Sequence, residues 1–584
     1  MLDPDARPWL PAYAEGVPAS VPKPTDPLHA ALAGAARTYP DNPALDFFGK
    51  RTTYAQLWEQ VRVAASALRA RGVGPGTVVA IALPNCPQHV VAFYAVARLG
   101  GVVVEHNPTY GPEQFAHQLE DSGARVVIAW DKVAPVVAAA VDPDRVDIIA
   151  VDMASALPWR QRLALNLPIP KARRLKREMS GKRRRDIVRW EDLLRGERPL
   201  PAAVPGPGVE DLAVLQYTGG TTGTPKGAML THANLVVNAT QAVAWVPSLV
   251  PGEEVFYGAL PFFHAFGLTL CVTVPVRLGA LLVLFPKFSV GMALAAQRRV
   301  PGTFFAGVPP MFDRLASAAF GRPPAVPSSL APAPRRRQRS VDLTSFRHAI
   351  SGAMATPAEV AQRWEEATGG LLVEGYGLTE TSPLSVGNPV SEARRPGTLG
   401  VPFPDTEARI ADLERPERDA RAGEPGELWL RGPQVFSGYW NRPEETAECL
   451  TPDGWFKTGD IVVSDGDGFF CLVDRIKEVI ITGGFNVYPS QVEAHLARMR
   501  EIAEVAVIGL PHSDLGERVV AAVVLRAGAV LDLDRVRAWC ADQMSRYAIP
   551  EQLVLLSELP RSQVGKVLRR VVRLRVQGTK LPAA

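Results

Sequence analysis

Apolar and polar positions along the chain change period in regular blocks. Between residues 52 and 75, apolar side chains recur at three- and four-residue spacing, which predicts an amphipathic helix. The positions that carry this spacing are Leu57, Val61, Ala64, Ala65 and Leu68. An apolar run at 77–83 predicts a strand, 89–100 a second helix, and 101–107 a second strand. Strand, helix and strand in succession indicate a parallel α/β unit.

The same theme returns further along the chain. Residues 125–130 and 146–151 each predict a strand, and so do residues 211–217. Thr231 is a candidate N-cap for a helix that follows. Because open α/β sheets bind ligands at the carboxyl ends of their strands, the segment after residue 217 is a candidate binding loop.

That segment reads YTGGTTGTPKGA, residues 217–228. Glycines let backbone N–H groups turn toward an anion, threonine hydroxyls add donors, and a lysine adds positive charge, so the pattern favours a phosphate-binding loop. It is not a Walker A loop, because Gly227 stands where that motif needs a hydroxyl after the lysine. A surface loop without a ligand is the alternative. The candidate residues are Thr218, Gly219, Gly220, Thr221, Thr222, Gly223, Thr224 and Lys226.

The later part of the chain divides into a core segment, an insertion and a second domain. The apolar run 265–285 is predicted to be core, and the Pro- and Arg-rich stretch 323–340 to be an irregular exposed insertion. Near residue 477 the pattern resets to strands at VIIT, AVIGL and VAAVVL, a turn at GFNVYPS, and a helix from Gln491. We therefore predict a large N-terminal domain of stacked α/β subdomains, 1–476, and a small α+β domain, 477–584.

Composition narrows the class of protein. A chain of 584 residues, 47% hydrophobic and 21% charged, is globular and too long for a single core. The first residues lack a signal-peptide pattern, so a cytoplasmic location is predicted. Five scattered cysteines, interpreted as buried thiols, support neither a disulfide framework nor a zinc site. A net charge of +4 gives no reason to expect a nucleic-acid partner.

The basic residues are nonetheless concentrated in one place. Residues 160–189 contain twelve lysines and arginines, interleaved with apolar side chains from Trp159 to Leu175. Such a segment is able to dock on anionic lipid. A solvated insertion is the alternative.

Four further motifs decide the function class. They are YGLTET at 376–381, DGWFKTGD at 453–460, DRIKEVIITGGFNVYPSQVE at 474–493 and LPRSQVGKVLRR at 559–570. Together with the glycine-rich loop, in this order, they resemble the adenylate-forming superfamily of acyl-CoA synthetases, luciferases and peptide-synthetase adenylation domains. The resemblance runs from about residue 30 to 575 and is greatest to bacterial long-chain fatty-acyl-CoA synthetases.

The resemblance implies a ligase that joins a carboxylic acid to AMP and then to CoA, using ATP and Mg²⁺. Positive charge must hold the carboxylate against the α-phosphate, and by resemblance Lys566 supplies it. Glu380 would be the magnesium ligand, since Mg²⁺ on phosphates takes one or two carboxylates. The glycine-rich loop and Thr379 would hold phosphate.

The resemblance also implies the rest of the nucleotide site. Tyr376 would stack on adenine beside Gly352 and Ala353, and Asp460 and Arg475 would bind the ribose. Further residues carried over to cofactor binding are Glu374, Gly375, Gly377, Gly483 and Gly484. Lys477 would be the hinge about which the small domain rotates between the two half-reactions.

The acid substrate depends on a pocket that the motifs do not fix. Phe263, Phe266 and Gly267 are candidates for an acyl pocket, with His264 either at its carboxylate end or an ordinary core histidine. A long-chain fatty acid is expected. Alternatives are an aryl-CoA ligase, a fatty acyl-AMP ligase that loads a carrier protein, a noncatalytic ATP-binding relative and a luciferase-like oxygenase. Peripheral contact with the inner membrane face through 160–189 and a homodimer are both left open.

Overall fold

The computed structural model describes residues 7–142, 144–182, 184–218, 225–321, 341–513, 515–541, 543–562 and 565–578. Its helices in the first half of the chain are α1 Leu28–Thr38, α2 Tyr54–Ala70, α3 Pro87–Arg98, α4 Pro112–Ser122, α5 Ala134–Ala140, α6 Trp159–Ala164, α7 Pro170–Met179, α8 Trp190–Leu193 and α9 His232–Trp245. Those that follow are α10 Ala265–Leu268, α11 Val274–Leu278, α12 Val290–Gln297, α13 Pro309–Phe320, α14 Ala358–Thr368, α15 Pro443–Cys449, α16 Pro489–Leu496, α17 Leu533–Cys540 and α18 Arg569–Val576.

Twenty-five strands accompany these helices in the described residues. The first twelve are β1 Pro43–Phe47, β2 Lys50–Thr53, β3 Val78–Ala82, β4 Val102–Glu105, β5 Val126–Trp130, β6 Asp147–Val151, β7 Val188–Arg189, β8 Leu212–Thr218, β9 Lys226–Thr231, β10 Val255–Gly258, β11 Leu281–Leu284 and β12 Phe304–Gly307. The remainder are β13 His348–Ser351, β14 Leu371–Gly377, β15 Leu384–Gly387, β16 Val401–Pro402, β17 Glu407–Ala411, β18 Gly426–Arg431, β19 Phe456–Ser464, β20 Phe470–Arg475, β21 Ile480–Thr482, β22 Phe485–Val487, β23 Ile502–His512, β24 Gly516–Leu525 and β25 Gln552–Leu555.

Four sheets organise the described residues. A seven-stranded sheet has the order β7-β6-β5-β3-β4-β8-β9, and a nine-stranded sheet the order β16-β15-β14-β13-β12-β10-β11-β1-β2. A four-stranded antiparallel sheet, β17-β18-β19-β20, leads into a five-stranded sheet in which β25 pairs with β24 beside β22-β21-β24-β23. Helices cover the two large sheets, so the predicted mixed α/β class and the smaller C-terminal sheet are confirmed.

Local sequence explains where several of these elements begin. Thr53 and Thr231 each accept a hydrogen bond from the third backbone N–H of the helix that follows, and both form capping boxes. The predicted helix over 52–75 is therefore α2, bounded by this cap and a Gly72 turn. The apolar run 265–285 lies in the core, as predicted, in α10, a π-helical turn at 269–273, α11 and β11.

Two parts of the pattern were predicted wrongly. The residues after the glycine-rich loop form β9, which pairs antiparallel with β8, so the loop closes a hairpin before α9 begins. The GFNVYPS segment is not only a turn, because β22 pairs with β21 through Gly483 and Gly484, both at positive φ. Helix α16 begins at Pro489, two residues before the predicted start.

The small C-terminal sheet has its own packing. Buried side chains from β21, α16, β23, β24 and α17 form one cluster on it, and Val572 of α18 joins a second. The domain boundary at residue 477 stays a prediction, while the separate core agrees with an independent unit at this end of the chain. The predicted insertion at 323–340 lies outside the described residues.

Two smaller expectations can also be compared with the structure. Cys86, Cys271 and Cys540 are buried, but Cys449 and Cys471 are partly exposed, so the interpretation of all five as buried thiols is wrong. In the part of the chain that the structure describes, none of the helices has both the length and the apolar character needed to cross a lipid bilayer.

Candidate active site

The glycine-rich loop joins two neighbouring strands of the seven-stranded sheet. Thr218 ends β8 and Lys226 begins β9, with the two residues opposite each other in the pairing register. Gly219, Gly220, Thr221, Thr222, Gly223 and Thr224 lie outside the described residues. The Lys226 ammonium is 3.7 Å from the Glu445 carboxylate and 5.1 Å from the centre of the Tyr439 ring. The lysine is therefore held at the mouth of the hairpin.

Glu380 lies in a 3₁₀ turn directly after β14 and is buried. Its Oε1 accepts a hydrogen bond of 2.6 Å from the Tyr439 hydroxyl. The other carboxylate oxygen, Oε2, takes no part in this hydrogen bond. Burial raises the pKa of Glu380, and the Tyr439 hydrogen bond opposes this shift. Burial and the nearby Glu380 carboxylate raise the pKa of Tyr439, so the phenol acts as a neutral donor.

The residues present fit a magnesium ion shared with phosphates. No cluster of three or more His, Cys, Asp or Glu side chains in the described ranges could enclose a metal by itself. Mg²⁺ in nucleotide sites is held by one or two carboxylates, phosphate oxygens and waters. A single buried carboxylate such as Glu380, with one oxygen fixed by a neutral donor, matches that donor set.

Tyr376, Asp460 and Arg475 meet at the junction of two sheets. The Tyr376 hydroxyl donates to Asp460 Oδ2 at 2.6 Å, and Arg475 Nε lies 2.8 Å from Asp460 Oδ1. Asp460 on β19 and Arg475 on β20 are direct partners in the register of the four-stranded sheet. Burial and the Asp460 carboxylate raise the pKa of Tyr376. The two residues expected to bind ribose and the one expected to stack on adenine are thus brought into contact.

The segment after β13 approaches Phe266 closely. A Cβ at Gly352 would lie 2.8 Å from the Phe266 ring, and the next residue, Ala353, has φ of +68°. A non-glycine residue in this left-handed region costs of order 1–2 kcal/mol, and such strain concentrates at functional sites. At Gly377 a Cβ would lie 1.8 Å from the Pro383 carbonyl oxygen, so only glycine fits. Gly375 pairs with Gly387 on β15, one residue before Tyr376.

Glu374 has a different environment from the other candidates. Its two oxygens accept hydrogen bonds from the backbone N–H groups of Thr356, at 3.1 Å, and Gly397, at 2.8 Å. Burial raises its pKa against those bonds. The side chain thus ties two loops to the end of β14, and its part in cofactor binding stays a prediction. Thr379 opens the 3₁₀ turn that carries Glu380.

Lys566 comes to this junction from the other end of the chain. Burial, followed by the nearby Arg475 guanidinium, lowers the pKa of Lys566 from 10.5 to about 8, against the opposing pull of Asp460 and Glu478. The preceding residue, Gly565, has φ of +86°, and a Cβ there would lie 3.9 Å from Met354 Cε. The turn that carries the lysine therefore packs beside the segment of Ala353.

The expected hinge and the Gly-Gly turn lie farther along the small sheet. Lys477 is exposed in a 3₁₀ turn, 476–478, between the last strand of the four-stranded sheet and the first strand of the small one. Gly483 donates its backbone N–H to the Leu515 carbonyl at 2.8 Å, so the turn it forms with Gly484 packs within the small sheet. The structure places neither glycine in the group formed by Tyr376, Asp460 and Arg475.

The acyl-pocket candidates lie between the two large sheets. The Phe263 carbonyl accepts a hydrogen bond of 2.7 Å from Gln216 on β8. Burial lowers the pKa of His264, whose buried Nδ1 has no hydrogen-bond partner among the described residues. At Gly267 a Cβ would lie 2.0 Å from the Pro261 carbonyl oxygen. The Phe266 ring adjoins Gly352, which links this region to the nucleotide candidates.

Sequence reasoning missed Tyr439. The residue is 59 positions from Glu380, and no periodic or spacing signal connects the two. Its only local signal is an aromatic residue in the segment SGYWNRP, where a glycine and a proline mark a turn.

Comparison with known proteins identifies the class. Residues 32–440 match the family model for the AMP-binding enzyme, and residues 491–566 match that for the AMP-binding enzyme C-terminal domain. The chain therefore belongs to the AMP-binding enzyme family.

Individual relatives extend over almost the whole chain. The long-chain-fatty-acid–CoA ligase of Bacillus subtilis is 37% identical over 566 residues, covering 97% of both chains. A feruloyl-CoA synthase of an Amycolatopsis species is 34% identical, covering 92% of this chain and 97% of its own. The crystal structure of ATP-bound MatB from Rhodopseudomonas palustris superposes with a TM-score of 0.77 at 28% identity, covering 94% of this chain and 99% of that one.

Proposed function

We propose that this protein is an AMP-forming acid–thiol ligase that converts a long-chain fatty acid to its CoA thioester, with ATP and Mg²⁺. In the first half-reaction a carboxylate oxygen attacks the α-phosphorus of ATP, and pyrophosphate leaves. In the second, the CoA thiolate attacks the acyl carbon, and AMP leaves. The observation that carries the proposal is that the Lys566 ammonium lies within the electrostatic influence of Asp460 and Arg475, which pair with each other beside Tyr376.

The charges present suit the first half-reaction. Two anions must approach each other, and the ammonium of Lys566 offsets the charge that develops around phosphorus. Asp460 and Arg475 would bind the ribose hydroxyls, and Glu380 would hold Mg²⁺, which neutralises phosphate charge when bound. Tyr376 would stack on adenine. Thr218, Lys226 and the loop between them would bind the phosphates that leave.

A hinge at Lys477 supports two reactions in one cleft. The residue is exposed, between two sheets with separate cores, so rotation there need not break a packed interior. The small domain would carry Lys566 away after adenylation and present the Gly483–Gly484 turn to the thiol. Both glycines already have positive φ and need no side-chain rearrangement.

A long-chain acid is favoured over an aryl acid by the relatives. Several relatives named long-chain-fatty-acid–CoA ligase match at 34–37% identity over nearly the full chain, the Bacillus subtilis protein among them. Phe263, Phe266 and Gly267 are the candidates for an apolar acyl pocket, in which each buried methylene would add about 0.8 kcal/mol. Aryl acids are included among the substrates of the assay below, because the feruloyl-CoA synthase of Amycolatopsis is also similar to this chain.

A competition assay decides between these substrates. The purified protein receives ATP, Mg²⁺ and an equimolar mixture of acetate, octanoate, palmitate, oleate, benzoate and coumarate, with and without CoA, and products are identified by mass. Palmitoyl-CoA and oleoyl-CoA should dominate. Coumaroyl-CoA as the main product would refute the long-chain assignment, and acyl-adenylates that persist with CoA present would point to a carrier-protein acceptor.

The basic segment gives the proposal a second part, peripheral contact with an anionic membrane. Helices α6 and α7 and the segment between them expose apolar side chains close together in sequence, and α7 places three cations around a groove of about 570 Å³. The exposed apolar residues are Trp159 at 66%, Leu163 at 61%, Leu167 at 50%, Ile169 at 48% and Leu175 at 40%. Apolar side chains flanked by cations fit the interface of an anionic bilayer.

Vesicle co-sedimentation tests the membrane contact. The segment is anchored where Gly181 donates its N–H to Asp131 at 2.7 Å, so substitutions are preferable to a deletion. The triple substitution Arg173→Gln, Lys176→Gln and Arg177→Gln should abolish binding to phosphatidylglycerol vesicles. A matched triple substitution of the exposed arginines Arg415, Arg418 and Arg421 should not. Binding that is equal for both variants, or equal on neutral phosphatidylcholine, would exclude the contact.

A further inference from the structure

The segment 436–440 is held between the two charged candidates of the phosphate region. It runs antiparallel to β9, where the Met229 N–H donates to the Gly438 carbonyl at 2.9 Å and the Trp440 N–H to the Gly227 carbonyl at 2.8 Å. At its other end the Phe436 N–H donates to the Glu380 carbonyl at 2.9 Å. The backbone of this segment therefore connects the strand after the glycine-rich loop with the turn that carries Glu380.

One side chain in the segment contacts both charged groups. The Tyr439 hydroxyl donates to Glu380 Oε1 at 2.6 Å, and Lys226 Nζ lies 5.1 Å from the centre of the Tyr439 ring. The Phe436 ring packs edge-on at 4.9 Å and fixes the plane of the tyrosine. The Tyr439 N–H also donates to the Thr446 hydroxyl at 2.9 Å. Tyr439 is therefore rigidly placed, with its hydroxyl on the carboxylate and its ring beside the ammonium.

We propose that Tyr439 is a positioning residue that orients the Glu380 carboxylate toward the metal and steadies Lys226 beside the phosphates. The inference rests on the proposed function. A carboxylate that turns freely presents either oxygen, or both, to a cation. With Oε1 held by the hydroxyl, the other oxygen is presented in one direction, and less order has to be imposed when the metal–nucleotide complex binds.

The two contacts can be separated by substitution. Tyr439→Phe removes the hydroxyl and keeps the ring that packs on Phe436 and faces Lys226. Tyr439→Leu removes both contacts. Tyr217→Phe is the matched control, because the Tyr217 hydroxyl also donates to a carboxylate at 2.6 Å, that of Asp121, from the neighbouring strand β8.

The first measurement is binding of Mn²⁺, as a paramagnetic substitute for Mg²⁺, with α,β-methylene-ATP, read by electron paramagnetic resonance without turnover. Tyr439→Phe should weaken Mn²⁺ binding by about tenfold or more, the usual effect of losing a hydrogen bond to a charged group. Tyr439→Leu should in addition weaken nucleotide binding measured without metal. Tyr217→Phe should leave the Mn²⁺ affinity unchanged.

A double substitution distinguishes positioning from a structural role. If Tyr439 acts through Glu380, Tyr439→Phe should have no further effect on Mn²⁺ binding when Glu380→Gln is already present. Equal effects in both backgrounds, or a wild-type Mn²⁺ affinity in Tyr439→Phe, would overturn the inference, and so would wild-type protein that binds no Mn²⁺–nucleotide. Failure of the ligase proposal is distinguishable, since the unsubstituted protein would then bind Mn²⁺–nucleotide but release no acyl-CoA.

Discussion

The lowered pKa of Lys566 makes adenylation sensitive to pH in a specific direction. In the free protein the ammonium is desolvated and lies near Arg475, which brings its pKa from 10.5 to about 8. Since the proposed role needs the cation, kcat/KM for ATP should fall about tenfold per pH unit above that value. The phosphates of bound ATP favour the ammonium, so kcat should fall only at higher pH.

Two substitutions separate the charge from its titration. Lys566→Arg keeps a cation at every accessible pH, so its rate should be lower than that of the wild type but without the fall above pH 8. Lys566→Met removes the cation and should slow adenylation by roughly 10² to 10³, as loss of an electrostatic donor does in other enzymes. Lys50→Met, at an exposed lysine of β2, should change neither rate nor profile.

The same lysine should make the fold less stable than it could be. The difference between 10.5 and about 8 corresponds to about 3 kcal/mol against the buried charge at neutral pH. Lys566→Met should therefore raise the free energy of unfolding by up to that amount. Between pH 8 and 10.5 the unfolded chain binds the proton that the folded wild type has lost, so wild-type stability rises and the advantage of the variant shrinks.

Pyrophosphate release with palmitate, followed from about pH 6.5 to 10, measures the rates, and urea unfolding measures the stability. Two results would refute the reasoning. The first is a wild-type kcat/KM that stays flat between pH 7 and 9.5. The second is a Lys566→Arg variant that keeps the wild-type fall, which would assign the titration to another group.

Lys477→Pro should spare adenylate formation and slow thioester formation, because a proline stiffens the exposed turn between the two sheets; single-turnover measurement of each half-reaction tests this, and equal losses would contradict the hinge. Gly377→Ala should unfold at lower urea concentration and raise KM for ATP, because its Cβ would lie 1.8 Å from the Pro383 oxygen. Gly34→Ala in α1, whose Cβ finds only an Arg37 side chain at 3.9 Å, should be neutral or stabilising, and equal effects of the two alanines would show that the clash is relieved cheaply.

Elements fixed by local chemistry could be predicted from sequence. The start of α9 follows from the Thr231 cap, and the parallel strands of the seven-stranded sheet from short apolar runs. Strand β9 could not be found this way, because the sequence KGAMLT has few strand-forming residues and its conformation is set by pairing with β8. The sequence predicts a turn where β22 lies, because the two glycines that precede this strand dominate the local signal, whereas β21 supplies its partner.

The residues of the site also fall into those that the sequence could identify and those that it could not. Motif resemblance named Asp460, Arg475 and Lys566, and the structure brings these three charges together from positions up to 106 residues apart. Motif resemblance could not identify Tyr439. A tyrosine between a glycine and a tryptophan has no property in the sequence that shows which carboxylate its hydroxyl contacts. Contacts of this kind depend on the placement of whole segments, which periodicity does not encode.

Asp474 contacts the small domain from the other side of the proposed hinge. The residue lies next to the end of β20, ahead of the hinge, and is buried. Its Oδ2 accepts the Ser490 N–H of α16 at 2.7 Å, while Arg569 of α18 lies 3.6 Å from its Oδ1. These contacts cross the proposed hinge and hold the orientation in which Lys566 reaches Asp460. A buried carboxylate on one side of the hinge that bonds to two residues on the other side favours that orientation over the rotated one.

Asp474→Ala removes a contact of the orientation that serves adenylation and none of the rotated orientation that serves thioester formation. The variant should therefore slow adenylation more than it slows thioester formation from supplied acyl-adenylate. The control is Asp532→Ala, which removes the cap that Asp532 gives the Arg535 N–H of α17 at 2.8 Å without crossing the hinge. That variant should lower stability by about 1 kcal/mol and leave the ratio of the two rates unchanged. If both variants slow the two half-reactions in the same proportion, Asp474 stabilises the small domain without selecting its orientation.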